Sequence, residues 1–148
     1  VIKIYTDGSC QGNPGPGGSA FIIIKENKIV HQNQFPFKLT TNNYCELFAV
    51  AESIRYVLDN NIVECEIYSD SKYVVDGINE WMNNWVKNDW KTVTGHQIQN
   101  IDIWKSVNIL WETSRSLCNI SIHYVKGHSS DQWNKIVDKL AREATKIS

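Results

Sequence analysis

No stretch of this 148-residue chain approaches the ~18 consecutive apolar residues that a membrane-spanning helix requires. The opening "VIKIYT" reads as a strand rather than as a basic, then apolar, then small-residue leader, so a protein that is neither membrane-bound nor secreted is expected. The four cysteines, Cys10, Cys45, Cys65 and Cys118, form no C-x-x-C pair and have no histidine at zinc-ligand spacing. That argues for reduced thiols and a cytoplasmic setting. Neither sign of charge is in excess, with 15 Lys and Arg against 16 Asp and Glu. A polyanionic partner must therefore be drawn by local features and not by a global positive field. Internal repeats, low-complexity tracts and linkers are also missing, and 42% hydrophobic residues suffice for one core, so a single domain over residues 1–148 is expected.

What is present is a succession of strand and helix patterns. Ile2 to Thr6 alternates as a strand does, Ser19 to Lys25 is a continuous apolar run suited to a buried strand, and Lys28 to Lys38 returns beside it after "KENK". Leu47, Val50, Ala51, Ile54, Val57 and Leu58 fall at helical spacing behind the capping residues of "TTNN". Glu64 to Ser69 reads as a strand, and "DSKYVVDG" as a short helix opened by Ser71 and closed near Gly77. The stretch from Glu80 to Gly95 fits no single pattern. Ile101, Trp104, Val107 and Trp111 mark a helix, Ile120 to Val125 a strand, and Trp133, Ile136, Val137, Leu140, Ala141 and Ala144 a last helix. Strands first, then strands alternating with helices, predict an α/β mixed sheet covered by helices.

Four acids stand at informative places in this layout. Asp7 is expected to follow the first strand, Asp70 the fourth, Glu46 to open a helix, and Asp138 to sit beside the apolar stripe of the last helix. Singly, each has a local explanation: a turn at Asp7 and Gly8, a capping box from Asn43 to Glu46, a helix cap at Asp70, a solvated face at Asp138. Together they say more, because neighbouring parallel strands that end in acids bring both carboxylates to the edge where open α/β sheets bind ligands. Anions gathered there repel unless protons or cations compensate, and an all-carboxylate donor set favours hard divalent ions such as Mg²⁺. The loop "GSCQGNPGPGG" lacks the G-x-x-x-x-G-K-[ST] order of a nucleotide cradle. Its small residues instead leave room for a polymer backbone to approach the main chain.

With "TDGSCQGNPGPGG", "TTNNYCEL", "SDSKYV", "INEWMNNW", "QNIDIW" and "YVKGHSSDQWNKIVDKLA" in this order over nearly the whole chain, the sequence resembles type 1 ribonuclease H. The resemblance implies a five-stranded mixed sheet, three antiparallel strands followed by two parallel ones, with helices on both faces. It implies endonucleolytic hydrolysis of the RNA strand in an RNA/DNA hybrid, leaving a 5′-phosphate and a 3′-hydroxyl. The family's metal-binding acids fall on Asp7, Glu46, Asp70 and Asp138, and its catalytic histidine on His128. Two Mg²⁺ ions, or Mn²⁺, would bracket the scissile phosphate, with Asp7 bridging them, Asp70 and Asp138 completing one shell, and Glu46 serving the other while touching the ribose. His128 would assist proton transfer or product release.

The resemblance also assigns substrate contacts. Gly8, Ser9, Cys10 and Ser71 match groups that read the 2′-hydroxyl, and Asn13, Asn42 and Asn43 match minor-groove positions. Thr41 and Asn100 match a pocket for a DNA-strand phosphate. Lys72 stands where many relatives carry glutamine. Trp81, Trp85 and Trp90, with Lys87 and Lys91, match a helical handle over the DNA strand that is more basic in many relatives; most of these tryptophans are expected to pack the handle together. A monomer is expected. Two other readings share the fold: a hybrid-binding domain without catalysis, which would lack some of the acids, and a DNA-cutting enzyme of the wider superfamily, which leaves "TTNN", the "GH" loop and "QNIDIW" unexplained.

Overall fold

The computed structural model describes residues 1–127 and 131–147. Its frame is a five-stranded sheet in the order β3-β2-β1-β4-β5, built from β1 (Ile2–Cys10), β2 (Gly15–Lys25), β3 (Lys28–Thr40), β4 (Glu64–Ser69) and β5 (Asn119–Tyr124). The first three strands are antiparallel neighbours, and β4 and β5 join in parallel. This is the expected mixed sheet.

Pleating explains why β2 reads as an unbroken apolar run. Phe21 and Ile23 face one way, into a core shared with Ile4, Ile67 and the helices α1 (Asn42–Asp59) and α4 (Ile101–Leu117). Ala20, Ile22 and Ile24 face the other way, onto Val137 and Ala141 of α5 (Gln132–Thr145). Both faces of the strand are covered, so no polar residue alternates with the apolar ones.

Several boundaries differ from the sequence expectation. Asp7 does not follow β1 but lies inside it, because the ladder to β2 continues through Gly8↔Ser19, Ser9↔Gly18 and Cys10↔Gly17. Much of the glycine-rich loop is thus strand, and β3 runs on to Thr40. The cap of α1 is Thr41, whose hydroxyl accepts from the Tyr44 N–H at 3.3 Å. Asn42 and Asn43 are therefore the first residues of the helix and not its cap, and Glu46 lies a turn inside.

Ser71 does cap the next helix, α2 (Lys72–Asp76), accepting from the Val74 N–H. Gly77 does not close it. Its φ of −60° is helical, and the chain continues through a π-helical turn (Gly77–Trp81) into α3 (Met82–Lys87). The glycine is there for space: a Cβ at this position would collide with the ring of Trp104, the largest fully buried side chain. The stretch from Glu80 to Gly95 thus begins within a helix that carries a wide turn, and ends beside an isolated antiparallel bridge between Lys91 and Gln97.

Candidate active site

The parallel register of β1 and β4 ends at Thr6↔Ser69, so Asp7 and Asp70 come next after the paired positions of these neighbouring strands, at the same edge of the sheet. Asp7 shares a strand face with Tyr5 and is 3% exposed. Its Oδ1 accepts from the Gly8 N–H at 2.9 Å, which fixes the carboxylate against the main chain.

Gly8 has a second role. A Cβ there would lie 2.5 Å from the Glu46 nitrogen and 2.6 Å from the Cys45 carbonyl carbon. Only a residue without a side chain lets α1 descend onto β1 at this point, and that descent delivers Glu46. Carboxylate oxygens of Asp7, Glu46 and Asp70 then lie within 4.8 Å of one another. Buried and close to other acids, Asp7 and Glu46 resist ionisation. Burial, followed by the charges of Asp70 and Asp138, pushes Asp7 well above the usual carboxylate range. Burial, followed by the charges of Asp7 and Asp70, does the same to Glu46.

The Oε1 of Glu46 is buried without a hydrogen-bond partner among the described residues. A buried acceptor left unsatisfied is costly, and hard divalent cations are the ligands that an all-oxygen, mutually repelling donor set accommodates. The residues present fit such ions.

Asp138 reaches the group from the opposite side, on α5. Its charge helps to raise the Asp7 carboxyl, yet the mutual 4.8 Å grouping comprises the other three acids. Its Oδ2 instead accepts from Arg142 Nε at 3.0 Å. Convergence is thus tighter for three of the expected acids than for the fourth. His128 lies outside the described residues; Gly127, which precedes it, runs beside Asp70, where a Cβ would sit 3.3 Å from Oδ2.

Around the acids the expected substrate contacts divide into groups. Gly8, Ser9 and Cys10 form the end of β1, and Ser71 adjoins Asp70 with its N–H donating to Ser69 Oγ at 3.1 Å. Asn13 and Asn42 are joined: the Asn42 N–H donates to Asn13 Oδ1 at 3.1 Å, tying the loop after β1 to the start of α1. Asn43 is exposed beside them. Thr41 and Asn100, which are far apart in sequence, line one cavity of about 340 Å³ with Phe37, Leu39, Thr40 and Tyr44. Lys72 is exposed, its ammonium 5.6 Å from the ring centroid of Tyr124.

The tryptophans pack mainly on one another. Trp85 meets Trp104 edge-on at 5.0 Å, and Trp81 and Trp90 lie 6.1 and 6.4 Å from Trp85. Trp81 keeps 37% of its surface. With Asn84, Trp85, Asn88 and Lys91 it borders a groove of about 430 Å³. Lys87 is exposed at the end of α3, and Lys105 rests over the Trp90 ring at 6.0 Å.

Sequence reasoning missed three supporting residues. Tyr73 accepts from Trp104 Nε1 at 2.8 Å and meets the Asn100 amide at 3.5 Å, linking the buried indole to the cavity wall. Tyr5 donates to Asp131, whose other oxygen accepts from the Trp133 and Asn134 N–H groups at the start of α5. Arg142 was missed as the partner of Asp138, although its i,i+4 spacing was visible. The tyrosines gave no such signal, because their partners are set by tertiary contacts.

A family model described as RNase H matches residues 1–146. The chain is 40% identical over 148 residues to a ribonuclease H of Hahella chejuensis, covering 99% of this chain and 94% of the relative. The crystal structure of LC9-RNase H1, a type 1 RNase H with the type 2 active-site motif, superposes with a TM-score of 0.82 at 26% identity, covering 98% of this chain and 72% of that one. LC11-RNase H1, solved in complex with an RNA/DNA hybrid, shares the fold with a TM-score of 0.74 at 20% identity, covering 99% and 98%.

Proposed function

The chain belongs to the ribonuclease H family, and from that premise we propose that it hydrolyses the RNA strand of RNA/DNA hybrids endonucleolytically. The observation that carries this reading is the meeting of the Asp7, Glu46 and Asp70 oxygens within 4.8 Å, with a buried Glu46 oxygen left without a protein partner. Asp7, Glu46, Asp70 and Asp138 would hold two Mg²⁺ ions, with Mn²⁺ as the alternative. When bound, such ions supply Lewis-acid stabilisation to the charge that develops on the scissile phosphate.

The remaining work falls to this chain's own groups. The Gly8 N–H orients the Asp7 carboxylate. Gly8, Ser9, Cys10 and Ser71 line the rim where a ribose would rest, and read its 2′-hydroxyl. Asn13 has its carbonyl oxygen engaged by Asn42, which leaves its amide NH₂ to donate into a minor groove beside Asn42 and Asn43. Thr41 and Asn100 offer a hydroxyl and an amide to a DNA-strand phosphate in the cavity they share. Trp81, Trp85 and Lys87 would flank the DNA backbone, and Lys72 would add a cation near the groove. His128 would move a proton at the leaving or entering oxygen. The enzyme would act as a monomer and a single domain, in a reducing intracellular compartment suited to its four free thiols.

The test is cleavage of matched RNA/DNA, RNA/RNA and DNA/DNA duplexes with Mg²⁺ and with a chelator, alongside Asp7→Asn. Hybrid cutting that needs both the ion and Asp7 supports the proposal. Binding without cutting would make the chain a hybrid-binding domain, and cutting of DNA would place it elsewhere in the superfamily.

A further inference from the structure

Among the ion pairs between described residues is Arg142 to Asp138, Nε to Oδ2 at 3.0 Å. Others, Arg55 to Glu52, Arg115 to Glu112 and Lys139 to Glu143, span 3.6, 3.3 and 3.9 Å on helix surfaces. What sets the Arg142 pair apart is its acid. The charge of Asp138 is among those that raise the Asp7 carboxyl, so the guanidinium is bound to a carboxylate at the edge of the acidic group. The backbone favours this arrangement, since Arg142 stands one turn after Asp138 and in the last turn of α5, where the helix dipole attracts a cation.

We propose that Arg142 is a built-in counter-cation for Asp138 that competes with divalent metal for its carboxylate, and so weakens the binding of the ion that needs Asp138. The inference rests on the reading of the four acids as a metal site, and it deepens that reading by naming a positioning residue. Two facts support competition. Asp138 is close enough to act on Asp7, yet the mutual grouping of candidate ligand oxygens joins Asp7, Glu46 and Asp70. The oxygen facing Arg142 is also already engaged in a charge-assisted hydrogen bond, and a cation that recruits it must break that bond. Two sites of unequal strength follow: one built from the three clustered acids, and a weaker one that draws on Asp138.

The experiment is calorimetric titration of the full chain with Mn²⁺ in the absence of nucleic acid, comparing the native protein with Arg142→Gln, Arg142→Lys and Lys139→Gln. Lys139→Gln removes the same charge from the same helix but from the pair with Glu143. Since the side chains are 60% and 36% exposed, the pair has the modest strength of surface ion pairs. Arg142→Gln should therefore tighten the weaker site by roughly two- to fivefold, while Arg142→Lys and Lys139→Gln stay near the native value. In an Asp138→Asn background the Arg142→Gln effect should vanish.

An Arg142→Gln isotherm that matches Lys139→Gln, or that shows weaker binding, overturns the role of Arg142. If Asp7→Asn leaves Mn²⁺ binding unchanged, the acids are not the metal site and the inference falls with that reading. Binding that depends on Asp7 but ignores Arg142 would remove the Arg142 role alone.

Discussion

The Tyr5 hydroxyl donates a 2.8 Å hydrogen bond to Asp131 Oδ2 across 126 positions of sequence. Tyr5 lies two residues before Asp7 on the same strand face, and Asp131 caps the helix that carries Asp138. The contact helps to set the start of α5 over β1, together with the packing of Val137 and Ala141 on β2, and so how the fourth acid approaches the other three. Tyr5→Phe keeps the ring stacked on Tyr68 at 4.9 Å and removes only the hydroxyl. It should lower stability by about 1–3 kcal/mol, as expected when one partner of a hydrogen bond is left unsatisfied. Urea unfolding with an unchanged m-value is the check; a loss within error of zero would show that the Asp131 cap alone places the helix.

The raised values at Asp7 and Glu46 have a consequence for pH. Without metal, the folded protein holds protons on these acids that the unfolded chain releases at about pH 4. Stability is then fully present below that pH and falls as pH rises through the folded-state values. Asp7→Asn should accordingly stabilise the metal-free protein at neutral pH. Saturating Mg²⁺ should raise the native melting temperature, by about 2.7 kcal/mol of stability at a hundredfold excess over Kd, and should raise that of Asp7→Asn far less. Thermal melts from pH 4 to 8, with and without the ion, test both signs.

Lys72 is exposed beside Tyr124, two residues after Asp70 in the chain. If its ammonium meets a phosphate, Lys72→Gln should weaken hybrid binding. The slope of log K against log salt should also become shallower by about 0.7–0.9. Fluorescence anisotropy at several salt concentrations reads this directly, and an unchanged slope would place Lys72 away from the backbone.

Gly77→Ala forces a methyl group against the Trp104 ring. Over-filling a closed core costs about 1–3 kcal/mol, and the displaced indole is the one that bonds Tyr73 and, through it, reaches Asn100. Stability by urea unfolding should fall by that amount. A neutral result would mean that the π-helical turn gives way instead of the ring.

The elements were legible wherever a local rule governs them. Alternation marked β1, the apolar run marked β2, helical spacing marked α1, α4 and α5, and Ser71 declared its own helix. The misjudged places were those where a distant partner overrides a local signal. The strand at Asp7 outlasts its glycines because β2 pairs with it. Gly77 continues a helix because Trp104 occupies the space of its missing side chain. One difference is local: within "TTNN" it is Thr41, not Asn43, that caps α1, which sets Glu46 two residues deeper in the helix.

By itself the sequence determined which residues carry charge, which are small, and the order of motifs that identifies the family; these are properties of covalent structure and local propensity. The tertiary structure alone decided that Asp7, Glu46 and Asp70 share one small volume, and that Asp138 stands beside them paired with Arg142. Oxygen positions at that scale depend on strand register, on how closely a helix descends over Gly8, and on the partner each carboxylate finds, all of which are settled by contacts between segments remote in the chain.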